Sequence, residues 1–305
     1  MKKWTLFLGL YFCLCLLAAC ASNGSGVDPV PGGTPTEPNP NHTDTTTQES
    51  PQSAMVTETF RVVTAEEPGH PALLLAKVDG ASGEVYLLPS GKEIPVTLEW
   101  VSEEETEVID WSYHAGSLVE ITHNGMILET YPAQFSSIAA IHVLEGGFDD
   151  RCAMYLDVLE ALWEKDSGLN SDLTHIGVDL SQTSLTPAEQ SAVAWAFAKN
   201  HGAGLVQGTL DELAEQGYIT AEPISATGSG TDLNDPEFYF YEWKDGCHFS
   251  ITEQPMEGTY SLTPVTFDVQ KWRSSLGAYW LCDCTALQTA VGKWSDYTIG
   301  SEMIS

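Results

Sequence analysis

From Thr57 onward the chain is cut into short apolar runs by glycine-containing turn pairs, a spacing that restricts it to sheets with tight connections. Asp79-Gly80 and Ser82-Gly83 separate a run over 72–78 from one over 84–88. Asn124-Gly125 separates 118–123 from 126–131 in the manner of a two-residue hairpin. With 57–63, 94–101 and 138–144, these short strands fit a small barrel or sandwich.

Gly146-Gly147 ends that pattern, and the period then changes to that of a helix. Cys152, Tyr155, Leu156, Leu159, Leu162 and Trp163 form one amphipathic stripe, with Gly168 as a stop. A short strand over 176–180 follows. Thr186-Pro187-Ala188-Glu189 joins a capping box to proline at the first helical position, so a second helix starts there and ends near Asn200-His201-Gly202. Thr209-Leu210-Asp211-Glu212 opens a third that stops at Gly217. Runs over 238–244 and 247–252 flank Asp245-Gly246 and predict another hairpin; 259–269, 278–285 and 293–299 complete an antiparallel sheet of five. Helices followed by a meander predict an α+β body with helices laid over one sheet face.

The N-terminus obeys different rules. Lys2 and Lys3 precede an apolar run that ends in Leu17-Ala18-Ala19-Cys20, the order of an export signal. The run is too short for a permanent span of the roughly 30 Å hydrocarbon core. Residues 21–55 are rich in Gly, Pro, Thr, Ser and Asn without apolar period, and cannot bury enough surface to fold. As a flexible tether they would reach roughly 30–35 Å. The remainder carries a folded composition, since the chain is 43% hydrophobic with nine Trp, eleven Tyr and ten Phe. A net charge of −31 sets it against phosphate backbones and anionic headgroups, which excludes nucleic acid as a partner.

Three stretches carry resemblances. Leu17-Ala18-Ala19-Cys20 resembles the lipobox of a bacterial lipoprotein, which implies cleavage before Cys20 and diacylglycerol on its sulfur. An ordinary secretion cut around Ala19-Cys20-Ala21 is the alternative. The run Gly116-Ser117-Leu118-Val119-Glu120-Ile121-Thr122-His123-Asn124-Gly125, continuing through Ile127-Leu128-Glu129-Thr130-Tyr131-Pro132-Ala133-Gln134, resembles small OB-like domains of Gram-positive lipoproteins. The stretch Lys271-Trp272-Arg273-Ser274-Ser275-Leu276-Gly277-Ala278-Tyr279, with Asp283-Cys284-Thr285, Gly292-Lys293-Trp294 and Ile299-Gly300-Ser301-Glu302-Met303-Ile304-Ser305, is similar to an uncharacterised domain of clostridial extracytoplasmic proteins. Together they imply a Firmicute surface lipoprotein of α+β class. Its parts would be a signal (1–19), a lipidated Cys20 with a tether (20–56), a small OB-like β-barrel domain (57–146), and an α+β domain with helices packed on an antiparallel meander (147–305). The resemblances supply no catalytic residues.

Motifs for chemistry are sparse. The chain has no nucleophile elbow, His-Glu-x-x-His, phosphate loop or EF-hand loop, and its eight histidines do not share helical metal spacing. With Cys13 and Cys15 in the signal and Cys20 lipidated, Cys152, Cys247, Cys282 and Cys284 remain. A disulfide from Cys247 to Cys282 or Cys284 competes with free buried thiols. Cys247, His248, Cys282 and Cys284 place at most three zinc ligands on one face, so no metal is expected. Asp232-Leu233-Asn234-Asp235-Pro236-Glu237 fits a calcium loop less well than ordinary turn chemistry. Tyr239, Tyr241, Trp243, Trp272 and Trp280 are the candidate ligand contacts, an aromatic groove beside carboxylates that would suit a sugar or peptide. The expected function is therefore a binding or interaction module on the extracytoplasmic face of the cell membrane. It would be held by its N-terminal lipid, with an unknown protein, peptide or glycan partner and no cofactor. The rival is an envelope-polymer hydrolase with an unrecognised carboxylate pair.

Overall fold

The computed structural model describes residues 54–65, 73–88, 96–98, 114–223, 239–255, 263–289, 291–294 and 297–305. Cys20, the tether as far as Ser53 and the acidic loop 232–237 lie outside them, and Val56, expected at the end of the tether, is the first residue of a strand. Pro51–Ser305 makes up one compact unit of α+β class, dominated by sheet.

The first sheet comprises β1 (Val56–Ala65), β2 (Leu73–Lys77), β3 (Val85–Leu88), β4 (Val96–Leu98), β5 (Leu118–His123) and β8 (Ile138–Val143) in the order β3-β2-β1-β5-β8-β4. Neighbours are antiparallel except β4 and β8. The expected strand over 126–131 shrinks to β6 (Ile127–Leu128), which pairs with β7 (Gln134–Phe135). Among the described residues the sheet does not close into a barrel. Alternation along β5 buries Val119, Ile121 and His123. They join Phe60, Tyr86 and Phe135, whose rings lie 5.1–5.5 Å apart.

Three helices follow, α1 (Arg151–Glu164), α2 (Pro187–Asn200) and α3 (Leu210–Glu215). α2 carries the capping box through Thr186/Glu189 that its sequence predicts, and α3, expected to start at Thr209, carries a second through Thr209/Glu212. α1 and α2 are buried on two sides. Val63, Leu74, Ala76 and Val85 of the first sheet share one core with Tyr155, Leu159, Ala192 and Phe197 of the helices and with Phe249, Phe267 and Leu281 beyond. One core therefore runs across the 146–147 boundary. The inserted face of α2 is mostly small, with Ala188, Ala192, Ala194, Ala196 and Ala198 buried. Its buried Ser191 accepts a hydrogen bond from the Gly83 amide at 3.0 Å.

The second sheet contains β9 (His175–Gln182), β10 (Gly204–Gln207), β11 (Thr220–Pro223), β12 (Tyr239–Glu242), β13 (Gly246–Gln254), β14 (Thr263–Ser274), β15 (Gly277–Gln288) and β16 (Ser301–Ile304). It departs from the expected meander. β9 runs parallel to both β10 and β13, because the helices return the chain across the sheet. Asp245-Gly246 closes no hairpin. β13 pairs with β9 and β14, while β12 pairs with β11 and meets β14 only at Glu242–Ser274. In place of the expected strand over 293–299, Trp294 and Thr298 form isolated bridges with Gln288 and Thr285, and β16 pairs with β15 beyond them.

Two cations on β14 fasten this sheet to the helical layer. Lys271 is fully buried, and its Nζ donates to the carbonyls of Trp163, Lys165 and Asp166 at 3.1, 2.6 and 3.2 Å. These carbonyls lie at and just past the C-terminus of α1, where those of Trp163 and Asp166 also accept from Asn170 Nδ2 and the Leu169 amide at 2.9 and 3.0 Å. Arg273 does the same for the 3-10 turn Ser167–Asn170, donating to Leu169 and Ser171 carbonyls at 3.0 and 2.6 Å.

Candidate functional site

Asp150, Ala153, Met154 and Asp157 fall at helical spacing along the lead and first turns of α1, and so share one face. The chain after β15 returns past that face and supplies Lys293, Trp294, Tyr297 and Ile299. Between them lies a cleft of about 560 Å³. Gly292 makes the crossing possible. It sits at φ +84°, and a Cβ there would fall 1.8 Å from the Phe148 carbonyl oxygen.

The inner wall is rigidly built. The Trp294 amide donates to Asp150 Oδ1 at 2.7 Å, and its indole Nε1 donates to Asp149 Oδ1 at 2.7 Å. The Arg151 guanidinium lies 4.5 Å from the Trp294 ring centroid. Arg151 also donates to Ser184, whose amide and hydroxyl donate to Glu253 Oε1 at 2.8 and 2.7 Å. Tyr155 donates to the same oxygen at 2.5 Å. Burial, then the Glu253 carboxylate, push the Tyr155 phenol far above its ordinary range. The network locks the start of α1 to β13 and to the loop before α2. On the outer wall Tyr297 is half-buried, its ring 6.3 Å from Phe267, and burial raises its phenol pKa.

The five aromatic residues expected as contacts do not converge on one groove. Tyr239 and Tyr241 are exposed on β12 with ring centroids 6.4 Å apart. Trp243 is fully buried with Val206, Leu213 and Ile219, and Trp272 packs against that cluster. Trp243 is therefore core, not a contact. Its amide donates to the Arg273 carbonyl at 2.8 Å, which turns the chain inward, and its ring lies against Gly246. Trp280 sits half-buried on β15, between Gln270 and Met303.

Of the two readings left open for the cysteines, the structure has free thiols. Cys152, Cys247, Cys282 and Cys284 are free. β14 lies between β13, which carries Cys247, and β15, which carries Cys282 and Cys284. Two strand spacings are about 9.5 Å, well beyond the roughly 4.4–6.8 Å a disulfide spans between Cα atoms. Nor do Cys282 and Cys284 face alike. A register shift with Asp283 at φ 53° puts Leu281 and Cys284 in the core and leaves Cys282 half-buried. Burial pushes the Cys247 and Cys284 thiols up to about 12. Among the described residues no three His, Cys, Asp or Glu side chains are grouped to hold a metal.

The cleft residues escaped sequence reasoning, which read α1 for its apolar stripe. The available signal was a pair of acids seven residues apart with Met154 between them. Nothing in the sequence set Tyr297 against that face, because the contact spans about 140 residues of chain. No protein-family model, curated protein or solved structure matches the chain.

Proposed function

We propose that the chain is a lipoprotein of the Firmicute cell envelope, anchored outside the membrane through lipid on Cys20, and that it binds a ligand in the cleft between α1 and 293–299. The observation that carries the reading is the cleft itself. Its volume of about 560 Å³ falls within the roughly 300–1,000 Å³ of small-molecule sites. Its walls mix apolar, acidic and basic groups, and the wall holding Trp294 is fixed in advance by hydrogen bonds. Anchoring rests on Leu17-Ala18-Ala19-Cys20 followed by a chain long enough to lift the body from a bilayer. The OB-like resemblance over 57–146 belongs to this proposal. It is supported by the antiparallel order β3-β2-β1-β5 and by a bridge from Tyr86 on β3 to Ala133, which curls the sheet toward the β6–β7 hairpin.

The hydrolase reading gains two acids in one cleft, Asp150 and Asp157. Seven residues on a helix place them about 10.5 Å apart along its axis, wider than the roughly 5–9.5 Å between paired glycosidic carboxylates. Asp150 is also committed to the Trp294 amide. Binding is the better account. Sedimentation of the full chain with isolated cell-wall sacculi tests both readings. Co-sedimentation that is lost in Tyr297→Ala supports binding, solubilised wall fragments establish a hydrolase, and no association refutes the binding role. Incorporation of labelled palmitate, abolished in Cys20→Ala, tests the anchor.

A further inference from the structure

We propose that the ligand of this cleft is a neutral sugar ring, held by Tyr297, Met154 and Ile299 on its apolar face and by Asp150, Asp157 and Lys293 at its hydroxyls. The inference rests on the binding reading above and names the chemistry that the cleft selects.

Charge removes one class of ligand. Two carboxylates against one ammonium line the cleft, on a chain of net charge −31, so an anionic ligand meets repulsion at the site and on approach. The aromatic groups remove a second. A cation cage needs several electron-rich ring faces around the ligand, and of the lining residues only Tyr297 offers one. The Trp294 ring is only 5% exposed and already carries the Arg151 guanidinium at 4.5 Å, while Lys293 adds like charge to the same space. A neutral polyol with one apolar face has neither conflict.

The remaining groups match that shape. Tyr297 offers a half-buried ring whose C–H···π contact with an axial hydrogen face needs no ligand charge. Met154 and Ile299 extend the apolar wall. Asp150 lines the cleft with Oδ1 accepting from the Trp294 amide, and its carboxylate keeps acceptor capacity for a hydroxyl. Asp157 adds carboxylate acceptors two helical turns along, and Lys293 supplies donors from the facing segment. Carboxylates accepting from hydroxyls make short, strong bonds, and such a site rejects analogues that lack the hydroxyl. The volume admits a mono- or disaccharide.

The test is titration of the purified full chain, followed by calorimetry and by tryptophan and tyrosine fluorescence. The probes are N-acetylglucosamine, its β-1,4-linked disaccharide, tetramethylammonium chloride and sodium acetate. The sugars should saturate a single site, with the disaccharide tighter. Tyr297→Ala and Asp157→Asn should each weaken sugar binding at least tenfold with an unchanged far-ultraviolet circular dichroism spectrum, and Tyr297→Phe should retain both fold and binding. Preferential binding of tetramethylammonium or acetate overturns the sugar assignment, as does saturation by none of the probes. Sugar binding that survives both Tyr297→Ala and Asp157→Asn overturns the site. Sacculi that still co-sediment while no sugar binds refute the ligand class alone. Loss of both refutes the binding reading as well.

Discussion

Replacing Lys271 with methionine tests how the helical layer is fastened to the second sheet. The ammonium is fully buried and satisfies three carbonyls at the end of α1, and it lies 5.8 and 5.9 Å from the Trp163 and Phe249 rings. Methionine keeps the length and apolar stem but takes the ammonium from all three carbonyls, leaving Trp163 with Asn170 Nδ2, Asp166 with the Leu169 amide, and Lys165 without its donor. A bond from a charged group contributes about 1.5–3 kcal/mol net. One ammonium serves all three, so its single desolvation cost keeps the total below three times that value, and we expect a loss of about 3–5 kcal/mol. In a unit of this size that lowers Tm by about 6–20 °C. Calorimetry of the full chain at neutral pH measures it, with Lys271→Arg as a second variant whose fork cannot occupy the same three-carbonyl seat. A shift below about 2 °C in Lys271→Met would refute the fastening role. The pH dependence sharpens the test. Burial lowers the Lys271 pKa below its ordinary 10.5. Between the lowered value and 10.5 the unfolded chain holds more protons than the folded one, so this residue makes stability rise with pH. The gap between wild type and Lys271→Met should therefore widen from pH 7 toward pH 10 in urea titrations. A gap that narrows over that range would contradict the burial.

Three further perturbations follow from the geometry. Gly246→Ala places a Cβ 1.9 Å from Trp243 Cε2, and should cost about 3–5 kcal/mol in denaturant unfolding, with loss of the Trp243 near-ultraviolet signature; a neutral result would mean that the ring is not seated there. Maleimide mapped by peptide mass at pH 8 should modify Cys282 ahead of Cys152, Cys247 and Cys284, because burial raises those three thiols and hides them; equal rates at all four would contradict the packing. Glu302 accepts from Tyr279 and pairs with Lys165 at 2.9 and 3.1 Å, so Glu302→Gln should speed amide exchange in β16 and leave α1 protected. Those partners hold the Glu302 pKa below its ordinary 4.5, so the contribution is complete above that value and is lost as pH falls through the lowered one.

Local chemistry made part of this fold legible. The boxes at Thr186 and Thr209 start α2 and α3 where their side chains dictate, because each cap needs only residues three apart. β5 matches its apolar run from Leu118 to His123. Pairing between distant segments was not legible. Asp245-Gly246 has the composition of a hairpin, yet the glycine serves to admit the Trp243 ring, and β13 finds β9 in parallel. Asp283 adopts a left-handed conformation that Asp tolerates without advertising it, and that one residue reverses the facing of Cys284. The cleft escaped for the same reason as β9–β13. Asp157 is an ordinary surface acid of a helix until Tyr297 and Ile299 return to it from the far end of the chain.

The shared core also fixes an order of events at birth. The first sheet is complete in the chain by Val143, but the apolar face formed by Val63, Leu74, Ala76 and Val85 finds its cover in α1 and α2, which end at Asn200. At synthesis rates of roughly 5–20 residues per second, those last residues trail by about 3–11 s. Until α2 is complete, a finished sheet would keep part of that apolar face uncovered. The emerging chain thus depends on whatever shields it until its own helices arrive.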